Sequence, residues 1–314
     1  MPPSPFSKLI NPRFPPAALG LESNNATVVH LDRGRGGYTL RRAATITLPE
    51  NLLRPSFDEQ NIADSNTLVG LLSEVALSAG LGKQRKWSVA LPEAATRASI
   101  LTLESAPASR AELEEVLHWK YERAFGAPEA ELRVSRERLS QDSQGKQRYL
   151  AVGIRLAVLD EYEAVFEAMG WRAGLILPRH QGEARWVTKA GGDALLVSSH
   201  AEGFTALVLR DSQPAIARSV ICEAQDRDDE LYRLLLFYRD RLAQTDGAEG
   251  ARALDRLLVV GEGFNKTHVG DLVQETLEAR PRILDSADVG LALPSNDLSF
   301  DALAAPAGLA TLAW

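Results

Sequence analysis

Alternating apolar and polar positions shape residues 17–48. Ala17–Glu22 and Thr27–Asp32 read as two strands around a tight turn at Ser23, Asn24 and Asn25. The glycine-rich turn Arg33–Gly37 leads into a third strand, Tyr38–Leu48; its glycines supply the backbone angles that a hairpin demands. The period then changes. Leu68, Val69, Leu72, Val75, Ala76 and Ala79 share one helical face, with Ser65 as the cap and Gly80 and Gly82 as the stop. "WSVALP", Trp87–Pro92, is a short buried strand.

A second block begins near Thr96. "TRASILTLES" reads as a strand. Ser109 and Glu112 have the capping-box spacing and open the helix "SRAELEEVLHWKYERAF". Strands over Glu131–Leu139 and Gln147–Leu156 flank the polar turn "SQDSQGK", and a helix Val158–Met169 and a strand Trp171–Leu177 follow. The third block opens with a helix Gln181–Ala190 closed by Gly191 and Gly192. Three strands lie in "DALLVSSHAEGFTALVLRDSQPAIARSVI", followed by a long helix Asp226–Leu242. A buried strand then runs into the turn "GEGFNK", and a helix Val269–Leu277, a strand Arg280–Asp285 and a helix Asp301–Leu312 complete the chain. A hairpin-led mixed sheet with helices therefore occurs twice, over Ala17–Pro92 and Ala194–Pro294. The fold class is α/β with mixed sheets, in two halves around a cleft.

Composition narrows the function. The chain has 314 residues, 45% hydrophobic and 25% charged, enough for two domains with a buried core. Its formal charge of −7 argues against a nucleic-acid binder, which needs a cationic surface. The single cysteine, Cys222, can build neither a disulfide framework nor a thiolate metal site and follows Val220 and Ile221 as a small hydrophobe. Six prolines make residues 1–16 an extended arm with no apolar stretch of the signal-peptide kind. The apolar end, "DALAAPAGLATLAW", is shorter than the roughly 20 residues of a membrane span. The expectation is a cytoplasmic protein.

Several strings resemble the PilM family, the actin-like cytoplasmic protein of type IV pilus assembly. They are "LGLESNNATVVHLDRGRGGYTLRRAATITLP", "WSVALPEAATRASILTLES", "RAELEEVLHWKYERAFGAP", "AVGIRLAVLDEYEAVFEAMGWRAGLI", "ELYRLLLFYRDRL" and "LDRLLVVGEGFNKTHVGDL", in family order over about residues 17–312. The resemblance implies an actin-like, ribonuclease H-like two-half architecture with an inserted subdomain. Residues 1–16 would be the arm, 17–96 and 180–192 the first subdomain, 97–179 the insert, and 193–314 a second subdomain. That second subdomain would lack the usual extra lobe, since "ICEAQDRD" spans the gap where the lobe sits in the family.

The resemblance also implies a nucleotide site, and the chain departs from it. Glu22 stands where the family has the aspartate that reaches the metal. Asn24 replaces a turn glycine, beside Asn25, and Val29 takes a phosphate-facing position. In the second hairpin Ser198 replaces an aspartate, and His200, Glu202 and Gly203 make the turn. In the third turn Gly261 and Gly263 remain, with Glu262 and Phe264 in place of small residues. The expectation is no cofactor: ATP and magnesium should not bind, and the protein should be a pseudo-ATPase rather than an enzyme. An active actin-like ATPase or kinase, with Glu22 reaching magnesium, is the alternative.

Bland readings stand beside these. Glu22 suits an end-of-strand polar position, Asn24 and Asn25 suit a turn, and His200 suits a solvent-exposed one. Gln225–Glu230 suits a solvated helix start whose acids favour the N-terminus. No histidines have metal spacing, and "GEG" lacks the rest of a phosphate loop. In "HWKYERAF", Leu113, Val116, Leu117 and Tyr121 fall on a buried stripe, while Trp119 and Phe125 do not both fit it. Trp119, Tyr121 and Phe125 are the candidate partner ridge. By resemblance the partner is the cytoplasmic N-terminal segment of a PilN-type membrane protein, held in a groove beside the insert. The protein would then be peripheral at the inner membrane, in touch with the pilus assembly ATPase machinery and able to form a homo-oligomer. A type II secretion module like GspL is the remaining alternative.

Overall fold

The computed structural model describes residues 14–142, 144–188, 192–245, 254–293 and 298–314, with the backbone alone at 241–245. The arm 1–13, the closing residues 189–191 of the third block and Pro294 lie outside the described residues. The chain runs β1 (Ala17–Leu21), β2 (Asn25–Gly34), β3 (Gly37–Thr47), α1 (Ser65–Ser78), β4 (Lys86–Leu91), β5 (Arg97–Thr102), α2 (Arg110–Phe125), β6 (Leu132–Leu139) and β7 (Arg148–Arg155). It continues through α3 (Leu156–Ala168), β8 (Arg172–Pro178), α4 (Arg179–Thr188), β9 (Ala194–His200), β10 (Gly203–Arg210), β11 (Gln213–Ile221) and α5 (Arg227–Thr245). The last elements are β12 (Arg256–Val260), α6 (Lys266–Leu277), β13 (Arg282–Ile283), β14 (Leu291–Ala292) and α7 (Phe300–Ala310).

Three sheets result. The first has the order β14-β3-β2-β1-β4-β8, the second β11-β10-β9-β12-β13, and the third β5-β7-β6. In the first two, an antiparallel hairpin continues into a parallel neighbour: β1 pairs with β2 and with β4, and β9 pairs with β10 and with β12. β1 and β9 are buried along their whole length, which a strand flanked by layers on both faces requires.

Two boundaries differ from the sequence expectation. The inserted unit is the third sheet with α2, and it ends near Arg155 rather than Arg179. Val158, Leu159, Tyr162, Val165 and Phe166 of α3 pack into the same core as Leu68 and Leu72 of α1, and β8 pairs in parallel with β4. Helical periodicity shows that α3 has an apolar face but not which sheet receives it. The second boundary is near the C-terminus. β14 joins β3 of the first sheet, and α7 lies against β1, β2 and β4 as well as α4. Residues 286–314 therefore do not all belong with the second half. α7 is apolar nearly all round because both halves cover it: Leu303 and Ala304 lie in a core with Leu196 and Leu258, and Ala305 and Leu309 lie with Ala90.

α4 and α7 cross at glycines. A Cβ on Gly182 would collide with the Ala305 carbonyl, and one on Gly308 with the Gly182 carbonyl. This close approach carries the chain between the halves. At α1 the cap is Asp64, one residue before the expected Ser65, accepting from Asn66 N and Thr67 N. At α2, Ser109 caps as its spacing predicts, and Glu112 accepts from Ala108 N at 2.6 Å. Between β11 and α5 the chain is Cys222–Asp226, a short turn, while 246–253 of the following connection lie outside the described residues.

Candidate functional site

The hairpin turns of the two halves face each other. Ser23 and Asn24 at the β1–β2 turn and Ala201 and Glu202 at the β9–β10 turn line one cavity of about 470 Å³, walled by Glu50, Asn51, Arg54 and Pro55. Of the sequence-predicted residues, Asn24 and Glu202 line this cavity, while Glu22, Asn25, His200 and Gly203 belong to the same two turns without lining it and Ser198 is buried within β9. Asn24 and Asn25 hold the turn: Asn24 O accepts from Leu48 N at 2.8 Å and Asn25 O from Glu22 N at 2.9 Å. Val29, read as phosphate-facing, is buried in the core.

Glu22 is not the simple end-of-strand residue that the bland reading made it. Its carboxylate pairs with the Arg179 guanidinium, which is 2% exposed and also bonds Glu183 Oε1 at 3.0 Å. Burial works against the guanidinium charge, but Glu183 and Glu22 outweigh it and push its pKa up. At the next residue along the chain, His180 Nδ1 lies 2.5 Å from Glu93 Oε1, both groups buried. Burial favours neutral Glu93, yet the facing His180 charge and hydrogen bond win and bring its pKa down to about 2. The same pairing raises His180 against its own burial. α4 can carry both partners because Arg179 and Glu183 stand four residues apart on one face.

His200 is buried, where the sequence reading made it solvent-exposed. Its Nδ1 is 3.1 Å from Glu202 Oε2, and although burial raises the Glu202 pKa, the His200 hydrogen bond and charge lower it. Ser198 is fully buried in β9. Four carboxylates, Glu22, Glu93, Glu183 and Glu202, thus share this region with Arg179, His180 and His200.

The third turn is occupied from within the chain. Arg227, at the start of α5 and buried, donates through Nη1 to Ser199 Oγ at 2.7 Å and Glu262 O at 3.0 Å. Through Nη2 it donates to His200 O at 2.7 Å and Ala201 O at 3.3 Å. Its guanidinium therefore ties the end of β9 to the Gly261–Gly263 loop. Gly263 has φ +100°, and a Cβ there would collide with Arg227 Nη1; Gly261 has φ +89° and abuts the Ser199 carbonyl. Gly263 is thus accounted for by a protein side chain and Gly261 by a main-chain carbonyl. Gly203 has φ +147° and passes so close to the Val220 carbonyl that no side chain fits. Among the described residues no group of three or more His, Cys, Asp or Glu could hold a metal.

The aromatic ridge separates into two kinds of residue. Tyr121 and Phe125 belong to the core of the inserted unit, with Leu101, Leu117 and Ala151. Phe125 is seated against Gly153, where a Cβ would come within 2.9 Å of its ring. This corrects the reading of Phe125, which is fully buried, as a partner contact, whereas Tyr121 is buried but still lines a groove of the insert. Trp119 alone of the three is exposed, at 55%. The stripe Leu113, Val116, Leu117 and Tyr121 packs inward as its spacing predicts. Cys222, expected in the core, is only partly buried and lines a second cavity.

Sequence reading missed Arg179, Glu183, Glu93 and His180, and it placed Arg227 in a solvated run. The spacing of Arg179 and Glu183 was a visible signal of an ion pair, but nothing in it reported burial.

The fold is a mixed α/β architecture built on two hairpin-led sheets, and it is shared with a solved structure. One chain of a PilM–PilN type IV pilus biogenesis complex superimposes with a TM-score of 0.70 at 16% identity, covering 96% of this chain and 98% of that one. A protein of Bacteroides thetaiotaomicron with an actin-like ATPase fold and unknown function gives 0.47 at 11% identity, over 94% and 95%. The cytoplasmic domain of EpsL, an inner-membrane component of the Vibrio cholerae type II secretion system, gives 0.47 at 13%, over 95% and 93%. No protein-family model and no curated protein matches the sequence. No helix among the described residues is long and apolar enough to cross a membrane.

Proposed function

We propose that this chain is a PilM-like scaffold of a type IV pilus assembly system, binding the cytoplasmic N-terminal segment of a PilN-type membrane protein. The observation that carries this reading is the end-to-end likeness to a chain of the PilM–PilN complex, at a TM-score of 0.70. The inserted unit offers a place for an extended segment. A groove of about 480 Å³ runs beside β6, an edge strand, between Tyr121, Leu132, Val134 and Arg136 of the insert and Leu156 at the first half. An edge strand has free backbone donors and acceptors to pair with an incoming chain. Membrane association would follow from the partner.

In this reading the cleft has given up its nucleotide. The Glu202 carboxylate lies in the turn where a phosphate would lie, and like charges at that range repel. Arg227 consumes the acceptors and the space of the third turn, and Glu22 is engaged by Arg179. The protein would act through its surfaces rather than through hydrolysis.

The test has two arms. Calorimetry with ATP, ADP and magnesium should give no saturable heat at millimolar nucleotide. Capture from a membrane fraction should recover a protein with one membrane span and a short cytoplasmic N-terminus, and a synthetic peptide of that segment should compete for binding. Low-micromolar ATP binding abolished by Glu22→Ala would favour the enzyme reading instead. Capture of type II secretion components by the same peptide criterion would replace the pilus assignment.

A further inference from the structure

The chain between β3 and α1 is a strap with two anchorages. Its base belongs to the first half: Leu52, Leu53 and Ile62 are buried in the core with α1 and α3. Leu53 and Ile62 form an antiparallel bridge, closed by Arg54 N to Asn61 O at 2.8 Å and Ala63 N to Leu52 O at 3.0 Å. Glu161 of α3 accepts from Asn61 N at 3.0 Å and Ile62 N at 2.9 Å, and Tyr162 Oη donates to Asn61 Oδ1 at 3.0 Å. The Asn61 amide in turn donates to Ser56 O and Glu59 O, both at 2.8 Å, which fixes the bend at the tip.

The tip belongs to the other body. Phe57 is 4% exposed and lies in the core of the inserted unit beside Leu101, Leu103 and Phe125. Arg97 and Arg155, at the two ends of the inserted unit's path, place their guanidinium carbons 4.2 Å and 5.8 Å from its ring centroid. Asp58 joins the same two arginines: Arg97 Nη2 donates to Oδ2 and Arg155 Nε to Oδ1, each at 2.9 Å. Arg97 opens β5 and Arg155 ends β7, so one carboxylate spans the points where the chain enters and leaves the insert.

We infer that Phe57 and Asp58 are positioning residues that set the inserted unit against the first half. The two covalent connections at 96–97 and 155–156 make a hinge, and the insert also touches the second half, where Arg148 Nη2 donates to Pro214 O at 2.8 Å. A buried ring and a carboxylate that bridges both crossings add the restraint toward the first half. The outer edge of the strap, Glu50–Pro55, also walls the cavity between the two hairpin turns, so one segment touches the cleft and the insert. This inference stands without any partner.

Native-state hydrogen exchange on the whole chain tests it, because local opening is read amide by amide. In Phe57→Ala, and to a lesser degree in Asp58→Asn, exchange should quicken by about tenfold or more in α2 and β5–β7. Amides of β9, β10 and β12 should keep their rates. Double electron–electron resonance between labels at Glu74 of α1 and Glu115 of α2, both exposed, with Cys222 replaced by Ser, should show a broadened distance distribution in the variants. Equal acceleration in both halves would make Phe57 an ordinary core residue and overturn the inference. Unchanged exchange and an unchanged distribution in Asp58→Asn would overturn it as well.

Discussion

Replacing Arg227 by Ala removes the side chain that fills the third turn of the cleft. Four hydrogen bonds go with it, to Ser199 Oγ, Glu262 O, His200 O and Ala201 O. Three of those acceptors are main-chain carbonyls, and a buried acceptor left unmatched costs about 1–3 kcal/mol. Water can reach part of the vacated space from the cavity lined by Ala201, Glu202 and Cys222, which lowers the sum. Glu262 O also keeps the hydrogen bond it accepts from Ser199 Oγ, so the net expectation is a loss of about 2–4 kcal/mol. For a chain of this size each kcal/mol is worth roughly 2–4 °C, so the melting temperature should fall by about 5–10 °C. Differential scanning fluorimetry reads this directly. Arg227→Lys, a single point charge without the fork, should recover less than half of the loss. Arg239→Ala, which removes an exposed arginine of the same helix, should stay within about 1 °C, as surface changes do. If Arg227→Ala melts with the Arg239→Ala control, the guanidinium is not what holds the turn together. The glycine at 263 would then need another explanation.

Three further outcomes follow from the same geometry. Trp119→Ala should leave the melting temperature unchanged and, if the exposed ring anchors the partner, weaken its affinity by about tenfold or more, whereas Phe125→Ala should cost about 3–5 kcal/mol of stability. Gly153→Val should destabilise by about 1–3 kcal/mol by driving a side chain into the Phe125 ring, measured by urea unfolding. The Glu93–His180 pair predicts a stability maximum in pH. The depressed Glu93 contributes fully above its ordinary value of 4.5 and loses this as pH falls toward 2, up to about 3 kcal/mol. The raised His180 contributes fully below 6.5 and loses this as pH rises through its folded value, with Glu183 also facing it. Glu93→Gln should flatten both limbs of the profile followed by chemical denaturation; unaltered limbs would remove the pair from the account.

How much of this was legible in the chain depends on the distance over which each feature is decided. The β1–β2–β3 hairpin, the capped α2 and its inward stripe follow from neighbours within a turn or two, and the sequence carries them plainly. The Asp64 cap shows the limit of such reading, since Asp and Ser are both good caps and adjacency decides between them. Periodicity marked α3 and α7 as apolar but could not say which body each joins, because a hydrophobic face carries no address. The same limit applies to Phe125: its place on α2 put it off the ideal stripe, and only the absent side chain of Gly153, across the sheet, makes room for it.

Charge is where sequence reading and structure part most. Glu22 and Arg179 are separated by most of the first half and by the inserted unit, so nothing local joins them; burial of Arg179 makes the pair, and burial depends on the finished fold. Arg227 lies in "QDRDDE", whose composition is that of a solvated helix start, and its neighbours do face water. One residue of that run turns inward because the Gly261–Gly263 loop and the end of β9 present four acceptors to its guanidinium. The acid-rich cleft follows the same logic. A site that held a triphosphate would gather cations and glycine amides around it. This one gathers four carboxylates around one buried arginine and two histidines: Arg179 pairs with Glu22 and Glu183, His180 with Glu93, and His200 with Glu202, while Glu183 Oε2 and His200 Nε2 are buried with no hydrogen-bond partner among the described residues. Each of the four carboxylates faces a cationic or imidazole side chain of the protein itself, and it is this pairing that supports the proposed scaffold reading.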